Sequence, residues 1–361
     1  MGSIDQYATA GGRRWEVRYR KPTGQQTRKR GFASKAAATA FLHSVESSKA
    51  AGTYVDPSRG KVTVTEWAQR WLAGKANIKE STRFRYEGII TNWIEPTFGS
   101  TAVANVRHVD VQEWVSGQDC EAASVVKHHR VLSQIMKLAV RDDRIPSNPC
   151  DGVNLPRVKH TKRRYLTAGQ VEALAAGAGP WRVLVLLLAY TGLRWGEAAA
   201  LRGNDVDMLR RRIHVDEAVT VVNGRFVWGE PKDHELRWVP VPKSVADELA
   251  QYMIGRSRAD GLLFTGERAG GPVRVKVARE SWFDDAVVAA GCPEGFTPHE
   301  LRHTAASLAV SAGASVLALQ KMLGHAKASM TLDVYADLFD DDLDAVAVSL
   351  EGVREKALAA M

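Results

Sequence analysis

The chain has 361 residues, 45% of them hydrophobic, and so points to two or three domains, since single cores stop growing near ~250 residues. Forty-nine Lys and Arg against 41 Asp and Glu leave a formal charge of +8, and residues 1–60, with eleven basic and four acidic side chains, hold +7 of it. The longest strongly apolar run, Val183 to Ala189, falls far short of the ~20 residues of a membrane span, and the N-terminus has no signal-peptide core; Cys120, Cys150 and Cys292 lie far apart in no metal-like or C-x-x-C spacing, so a soluble protein of a reduced cytoplasm is expected.

From the N-terminus, Trp15, Val17 and Tyr19 alternate with Arg14, Glu16, Arg18 and Arg20, the period-two pattern of a strand, and Lys21-Pro22-Thr23-Gly24 turns it into a second, Gln25 to Phe32. Ser34 then caps a helix from Lys35 to about Ser48 that lays Ala37, Phe41 and Val45 on the apolar side of the sheet. The helix leaves the charged face uncovered. Arg14, Arg18, Arg20, Arg28 and Arg30 there suit a DNA groove, where arginines reach phosphates and base edges, better than an ordinary solvated hairpin.

After the turn-rich stretch Val55-Asp56-Pro57-Ser58-Arg59-Gly60, helical spacing takes over at Trp67 and Trp71, Phe84 to Trp93, Val109 to Val115 and Ala122 to Val140. The last of these helices carries Lys127, His128, His129, Arg130 and Lys137, which suit a phosphate backbone and a wet helix face equally. Ile145-Pro146-Ser147-Asn148-Pro149 closes this helical domain, and Leu155 to Arg164 follows as a basic tether carrying Arg157, Lys159, Lys162, Arg163 and Arg164, of the kind that wraps a duplex. Thr167-Ala168-Gly169-Gln170 has the form of a capping box and opens a third, mostly helical domain, which strand-like runs at 212–215, 226–228 and 237–241 interrupt as one small sheet.

Chemistry gathers in that third domain. Thr191-Gly192-Leu193-Arg194-Trp195-Gly196-Glu197 sets Arg194 where a turn feeds a helix and backbone N–H groups favour anions; Glu197 either orients its guanidinium or makes a structural pair with it. Lys232, in Pro231-Lys232-Asp233-His234, falls between the second and third strands and by itself reads as a solvated lysine. Thr297-Pro298-His299-Glu300-Leu301-Arg302-His303 contains H-E-x-x-H, the zinc-peptidase spelling. Against zinc, no third ligand stands at the usual downstream spacing, and Thr297 with Glu300 forms a capping box with Pro298 at the first helical position. Arg302 is also an awkward neighbour for a dication but a natural one for a phosphate. Leu323-Gly324-His325 ends one helix at a glycine, and Ser329 caps the next, which carries Tyr335. A lone tyrosine on an amphipathic helix is ordinarily core; the ordered set Arg194, Lys232, His299, Arg302, His325 and Tyr335 gives this one a chemistry.

The segments T-G-L-R-W-G-E, H-E-L-R-H, L-G-H and V-Y-A-D-L, in that order, resemble those of the tyrosine recombinases, the phage-integrase family, over residues 165–340. The helical domain is similar to the family's core-binding domain, and the N-terminal unit resembles the arm-type DNA-binding domains of integrases from phages and integrative elements. His325 and Tyr335 stand ten residues apart, one more than in some members. The fold class so implied is mainly α with small β-sheets (α+β). It comprises an arm-type domain at 1–55 (a three-stranded sheet plus helix), a helical core-binding domain at 61–154, a basic linker at 155–164, a mixed α/β catalytic domain at 165–340 and a tail at 341–361. Leu338, Phe339, Leu343, Val346 and Leu350 are spaced as an apolar stripe for docking on a neighbouring protomer.

The implied activity is site-specific DNA recombination, integrating or excising a mobile element. Carried over by motif, Arg194 and Arg302 form an arginine clamp on the phosphate, Lys232 is the hairpin lysine, His299 and His325 are the two histidines, and Tyr335 is the nucleophile, with Glu197 and His303 in support. Forked guanidiniums suit the charge that builds on the equatorial oxygens and take the place of a metal, so no cofactor is expected. His299 is the expected base for the tyrosine proton, Lys232 the acid for the leaving 5′ oxygen, and His325 a donor to a nonbridging oxygen. The 3′-phosphotyrosyl product keeps the energy of the broken bond for rejoining. Expected partners are double-stranded DNA at core-type and arm-type sites, a homotetramer on DNA, a host DNA-bending factor and a directionality factor. A type IB topoisomerase, a regulator with a decayed site (disfavoured because every catalytic position is filled) and a zinc metallopeptidase are the alternatives.

Overall fold

The computed structural model describes residues 2–52, 54–56, 58–159, 163–231, 236–255, 260–266, 270–336 and 342–360, the side chains of 342–346 and 349 excepted. The fold is mixed α and β, mainly helical with small antiparallel sheets, and divides into two compact units, Met1–His160 and Thr161–Met361.

The first unit holds two cores. Strands β1 (Ser3–Thr9), β2 (Gly12–Arg20) and β3 (Gln26–Phe32) form an antiparallel sheet in that order. Helix α1 (Lys35–Ala50) crosses it, started by the Ser34 hydroxyl, which accepts from the Ala37 N–H at 3.2 Å. Val17 and Tyr19 are buried against the helix as the alternation predicts, with Val45 buried and Phe41 packed against them; Ala38 rather than the expected Ala37 completes the contact, and Ala37 is exposed. The second core is helical: α2 (Val64–Ala73), α3 (Glu80–Ile89), the short α4 (Glu95–Phe98), α5 (His108–Ser116) and α6 (Ala122–Arg141). One π turn at Ile90–Ile94 joins α3 to α4, so the helix expected from Phe84 to Trp93 breaks its α pitch near its end. The Trp67 indole N–H donates to the Ile135 carbonyl at 3.1 Å, tying α2 to α6 through a buried polar contact.

In the second unit α7 (Ala168–Gly177) opens with the expected box, the Thr167 hydroxyl accepting from the Gln170 N–H and the Gln170 amide oxygen accepting from the Thr167 N–H. The central element is α8 (Arg182–Thr191), in which every residue from Val183 to Ala189 is buried; each such Leu or Val stabilises by roughly 1.5–3 kcal/mol. Its C-terminus feeds a single-turn helix, α9 (Trp195–Ala198).

The strands that follow are β4 (Val206–Asp207), β5 (Arg212–Val215), β6 (Ala218–Val222), β7 (Arg225–Gly229) and β8 (Arg237–Pro240). They make two sheets rather than the single one expected: β4-β5-β8, and a separate β6-β7 hairpin. Asn223 and Gly224 both take positive φ, 46° and 75°, as a two-residue turn requires, so β7 pairs back on β6 and leaves β8 to pair with β5. The remaining helices are α10 (Lys243–Met253), α11 (Val275–Ala278), α12 (Asp284–Ala289), α13 (Pro298–Ser311), α14 (Val316–Leu323), α15 (Ala328–Tyr335) and α16 (Asp342–Ala359). Helix α15 starts from Lys327 with no side-chain cap, so Ser329 does not have the capping role expected of it: it lies inside the first turn, where its own helix leaves no N–H for it to cap. Among the described residues no helix is long and apolar enough to cross a membrane.

Candidate active site of the second unit

Arg302, on α13, is 97% shielded from solvent and donates from one nitrogen to the Gly192 carbonyl at 2.6 Å and from another to the Leu323 carbonyl at 2.7 Å. These carbonyls belong to the C-terminal ends of α8 and α14, where unpaired C=O groups and the negative ends of two helix dipoles welcome a cation. Both helices end on a left-handed glycine, Gly192 at φ +67° and Gly324 at φ +66°, which bends the chain away after the carbonyl Arg302 holds. Burial, then the charge of Arg194, lowers the Arg302 guanidinium to about 10, which leaves it charged at neutral pH.

Arg194 lies two residues beyond Gly192, at the start of α9. Glu197 accepts its backbone N–H and one guanidinium nitrogen, each at 2.9 Å. A second arginine, Arg237 at the start of β8, grips the same carboxylate with two nitrogens, at 2.7 and 3.3 Å, and both side chains are almost fully buried. Burial alone would raise the Glu197 carboxyl; the hydrogen bond and charge of Arg237, with Arg194, hold it below the usual carboxylate range. Two guanidiniums thus share one carboxylate, with the Arg302 charge nearby, an excess of positive charge that a bound anion would balance.

Tyr335 ends α15 with only 1% of its surface exposed, packed with Ala306, Val310, Leu319 and Leu323. Its hydroxyl lies 2.8 Å from His303 Nδ1, and its ring lies nearly parallel to that of His325, with centroids 6.5 Å apart. Burial pushes the phenol up to about 12, against the opposing charges of Arg302, Arg163 and Arg194. His299 and His303 share one face of α13, as their spacing requires, with ring centroids 5.1 Å apart. His325 is buried, its Nδ1 2.9 Å from the buried Thr331 hydroxyl, a contact that fixes the ring and turns Nε2 to other work. Lys232 lies outside the described residues.

Two groups in this cluster carry more than the motifs assign them. Sequence reasoning made His299 the base, whereas His303 has the hydrogen bond to Tyr335. In the sequence Arg237 is only the start of a strand; an arginine opening an otherwise apolar strand is too common a signal to single out. Glu300 accepts from the Thr297 N–H at 2.6 Å, the capping geometry that competes with a zinc-peptidase role, and no group of three or more His, Cys, Asp or Glu among the described residues is arranged to hold a metal ion.

His303 also sets a pH dependence. Burial, then the charge of His299 and Arg163, lowers its imidazole to about 4, while an unfolded histidine takes up a proton near ~6.5. The folded form therefore binds fewer protons between those values, and the stability this neutral ring contributes is complete above about pH 6.5 and lost as pH falls towards 4. Between about pH 7 and 4.5 the urea midpoint of the wild type should fall more steeply than that of His303→Gln; parallel profiles would remove His303 as the cause. His128, whose ring burial also lowers, contributes equally to both proteins.

The residues expected to meet DNA are scattered more widely. Arg14, Arg18, Arg20, Arg28 and Arg30 are exposed on the sheet of the first unit. Glu16, 2% exposed, sits among them and accepts from Arg18 at 2.8 Å and Arg30 at 2.6 Å, so this face is less cationic than the sequence suggests. Lys127, Arg130 and Lys137 are exposed on α6, but His128 is buried, stacked on Trp93 with centroids 4.4 Å apart. Arg157 and Lys159 are exposed, and Lys162 lies outside the described residues. Arg163 donates to the carbonyl of Val334, beside Tyr335.

Two family models match the chain: "Phage integrase family" over residues 164–341 and "Phage integrase, N-terminal SAM-like domain" over residues 63–117. The prophage phiRv2 integrase of Mycobacterium tuberculosis is 31% identical over 276 residues, covering 74% of this chain and 72% of that protein. The integrase of Mycobacterium phage L5 is 27% identical over 283 residues, covering 75% and 74%. Among solved structures, the Tn1549 transposon integrase in complex with a circular intermediate DNA superposes with a TM-score of 0.70 at 23% identity, covering 81% of this chain and 99% of that one. A lambda integrase tetramer bound to a Holliday junction gives 0.56 at 19% identity, covering 89% and 95%.

Proposed function

The chain belongs to the phage integrase family and is a tyrosine site-specific DNA recombinase, and on that premise we propose that Tyr335 attacks the scissile phosphate to leave a 3′-phosphotyrosyl enzyme. The observation that carries this reading is the burial of one tyrosine hydroxyl against a neutral histidine, within the influence of the arginines gathered around Glu197.

Arg194 and Arg302 bind the nonbridging oxygens and stabilise the charge that grows on them during in-line displacement. The phenol must lose its proton as it attacks. His303 is in position to accept it in the resting site, and His299, on the same helix face, can relay it once DNA is bound. His325 donates from Nε2 to a nonbridging oxygen, and Lys232 protonates the departing 5′ oxygen. A 5′ hydroxyl from the partner duplex then attacks the phosphotyrosine, breaking the ester and restoring the tyrosine without an external energy source.

The sheet unit (1–55) would engage arm-type DNA through Arg14, Arg18, Arg20, Arg28 and Arg30, and the helical unit (61–154) core-type DNA through Lys127 and Arg130. The linker (155–164), with Arg157, Lys159, Lys162 and Arg163, would follow the backbone between them. The catalytic segment spans 165–340. The working form would be a homotetramer in the bacterial cytoplasm, joined by segment 341–361 and aided by a DNA-bending factor and a directionality factor. Val348, Leu350, Val353 and Leu358 of α16 are exposed, as a docking helix requires; Leu338 and Phe339 lie outside the described residues.

A duplex carrying a nick just beyond the cleavage position tests the chemistry, because the short 5′-hydroxyl strand diffuses away and traps the enzyme. The expected product is protein joined to the 3′ phosphate, at an unchanged rate in EDTA; linkage to a 5′ phosphate, or loss of activity in EDTA, would overturn the assignment.

A further inference from the structure

We propose that Arg237 is a positioning residue for strand cleavage, acting on Arg194 through Glu197 and on His325 through the turn that precedes it. The inference rests on the reading of Arg194 as part of the phosphate clamp.

Arg237 touches two of the catalytic motifs at once. Its guanidinium holds both oxygens of Glu197, the carboxylate that fixes Arg194 at its backbone and its side chain. Its Nε donates to the Met322 carbonyl at 3.1 Å, and its guanidinium lies so close to Gly324 that a Cβ there would meet Cδ, Nε and Cζ at 2.9 to 3.0 Å. Gly324 is the residue before His325, so the turn that aims His325 rests on the Arg237 side chain.

Charge bears on the same point: Arg194 and Glu197 by themselves make a neutral pair, whose carboxylate offsets the attraction of the guanidinium for a phosphate. Arg237 draws on the same carboxylate and leaves the three groups with one net positive charge. A buried ion pair is weak grounds for stability, because apolar replacements of similar volume often fold as well. Its value here lies in holding Glu197, and therefore Arg194, in one orientation.

The test uses the full chain and two nicked duplexes, one with a normal scissile phosphate and one in which a methyl group replaces a nonbridging oxygen, giving a neutral methylphosphonate. Arg237→Met should release the 5′-hydroxyl strand about 100-fold more slowly from the phosphate substrate, the scale of a misplaced catalytic group, with DNA affinity within a few-fold of wild type. On the methylphosphonate, which is neutral before attack and leaves only one nonbridging oxygen to gain charge, Arg194 has less to stabilise, and the defect should shrink to under about 10-fold, the remainder being the share carried through His325. Arg237→Lys keeps the charge without the fork and should fall between the two proteins. Glu197→Gln combined with Arg237→Met leaves no buried carboxylate unpaired, and should cost no more than the worse single change.

Equal slowing on both substrates, or full activity of Arg237→Met on phosphate, would overturn the inference. Arg194→Ala separates this outcome from failure of the underlying reading. If Arg194→Ala cleaves the phosphate normally, the clamp itself is wrong; if it is slow while Arg237→Met is not, only the positioning role is lost.

Discussion

Tyr335→Phe should form no covalent adduct on a nicked site, a loss on the order of 10⁴–10⁶-fold in cleavage, while its folding stability changes by only about 1 kcal/mol. The two effects separate because the ring and the hydroxyl do different work. The ring packs with Leu319, Leu323 and Val310, and phenylalanine fills the same space. The hydroxyl makes one hydrogen bond, to His303, whose loss costs an ordinary amount. A free tyrosine is ionised to about one part in a thousand at neutral pH; with its phenol pushed up to about 12, Tyr335 is a further hundredfold less ionised. The phenol therefore needs a base to take its proton as it attacks. Denaturant unfolding and adduct trapping on the same preparation check both halves, and an adduct surviving in Tyr335→Phe would end the assignment.

Arg302→Met should lose about 10³-fold or more in cleavage, because a preorganised donor to a developing negative charge is removed. Its stability should fall by no more than about 2 kcal/mol, although the side chain is almost wholly buried. Two opposing effects decide this. The Gly192 and Leu323 carbonyls lose their donor, at about 1–3 kcal/mol each. Against that stands the removal of a charge that burial and Arg194 already disfavour, as the lowering of the guanidinium to about 10 shows. Arg302→Lys, which keeps the charge with a single-headed donor, should be the less stable of the two. Urea midpoints and strand release distinguish these outcomes, and an Arg302→Met protein that cleaves normally would contradict the clamp.

Much of this was legible in the sequence because the motifs report local geometry. T-G-L-R and L-G-H announce helix ends at glycines, T-P-H-E announces a helix start, and the structure has those boundaries. The alternation around Trp15, Val17 and Tyr19 likewise gave the right faces of the N-terminal sheet. Long-range pairing was harder to see. Nothing near Arg237 in the chain reveals that it lies against Glu197, forty positions earlier, or that β8 would leave the neighbouring hairpin to pair with β5. Glu16 was visible as a lone acid among arginines, but its burial under Arg18 and Arg30 depends on strand register. Spacing along α13 puts His299 and His303 on one face but does not fix which of them meets the Tyr335 hydroxyl, which depends on where α15 places it.

The two motif glycines bear on how decayed relatives of this chain would be recognised. A Cβ at Gly192 would meet the Leu323 side chain at 2.6 Å, and one at Gly324 would meet the Arg237 side chain at 2.9 Å, so both positions are held by packing as well as by their left-handed backbone. Neither glycine takes part in bond breaking. A descendant that had given up cutting DNA but kept its shape would remain under the same steric demand to spell T-G-L and L-G-H, and only Arg194, His303 and Tyr335 would be free to drift. Survival of the glycines is evidence of a fold still in use, and a working recombinase is told from a retired one by the reactive side chains around them.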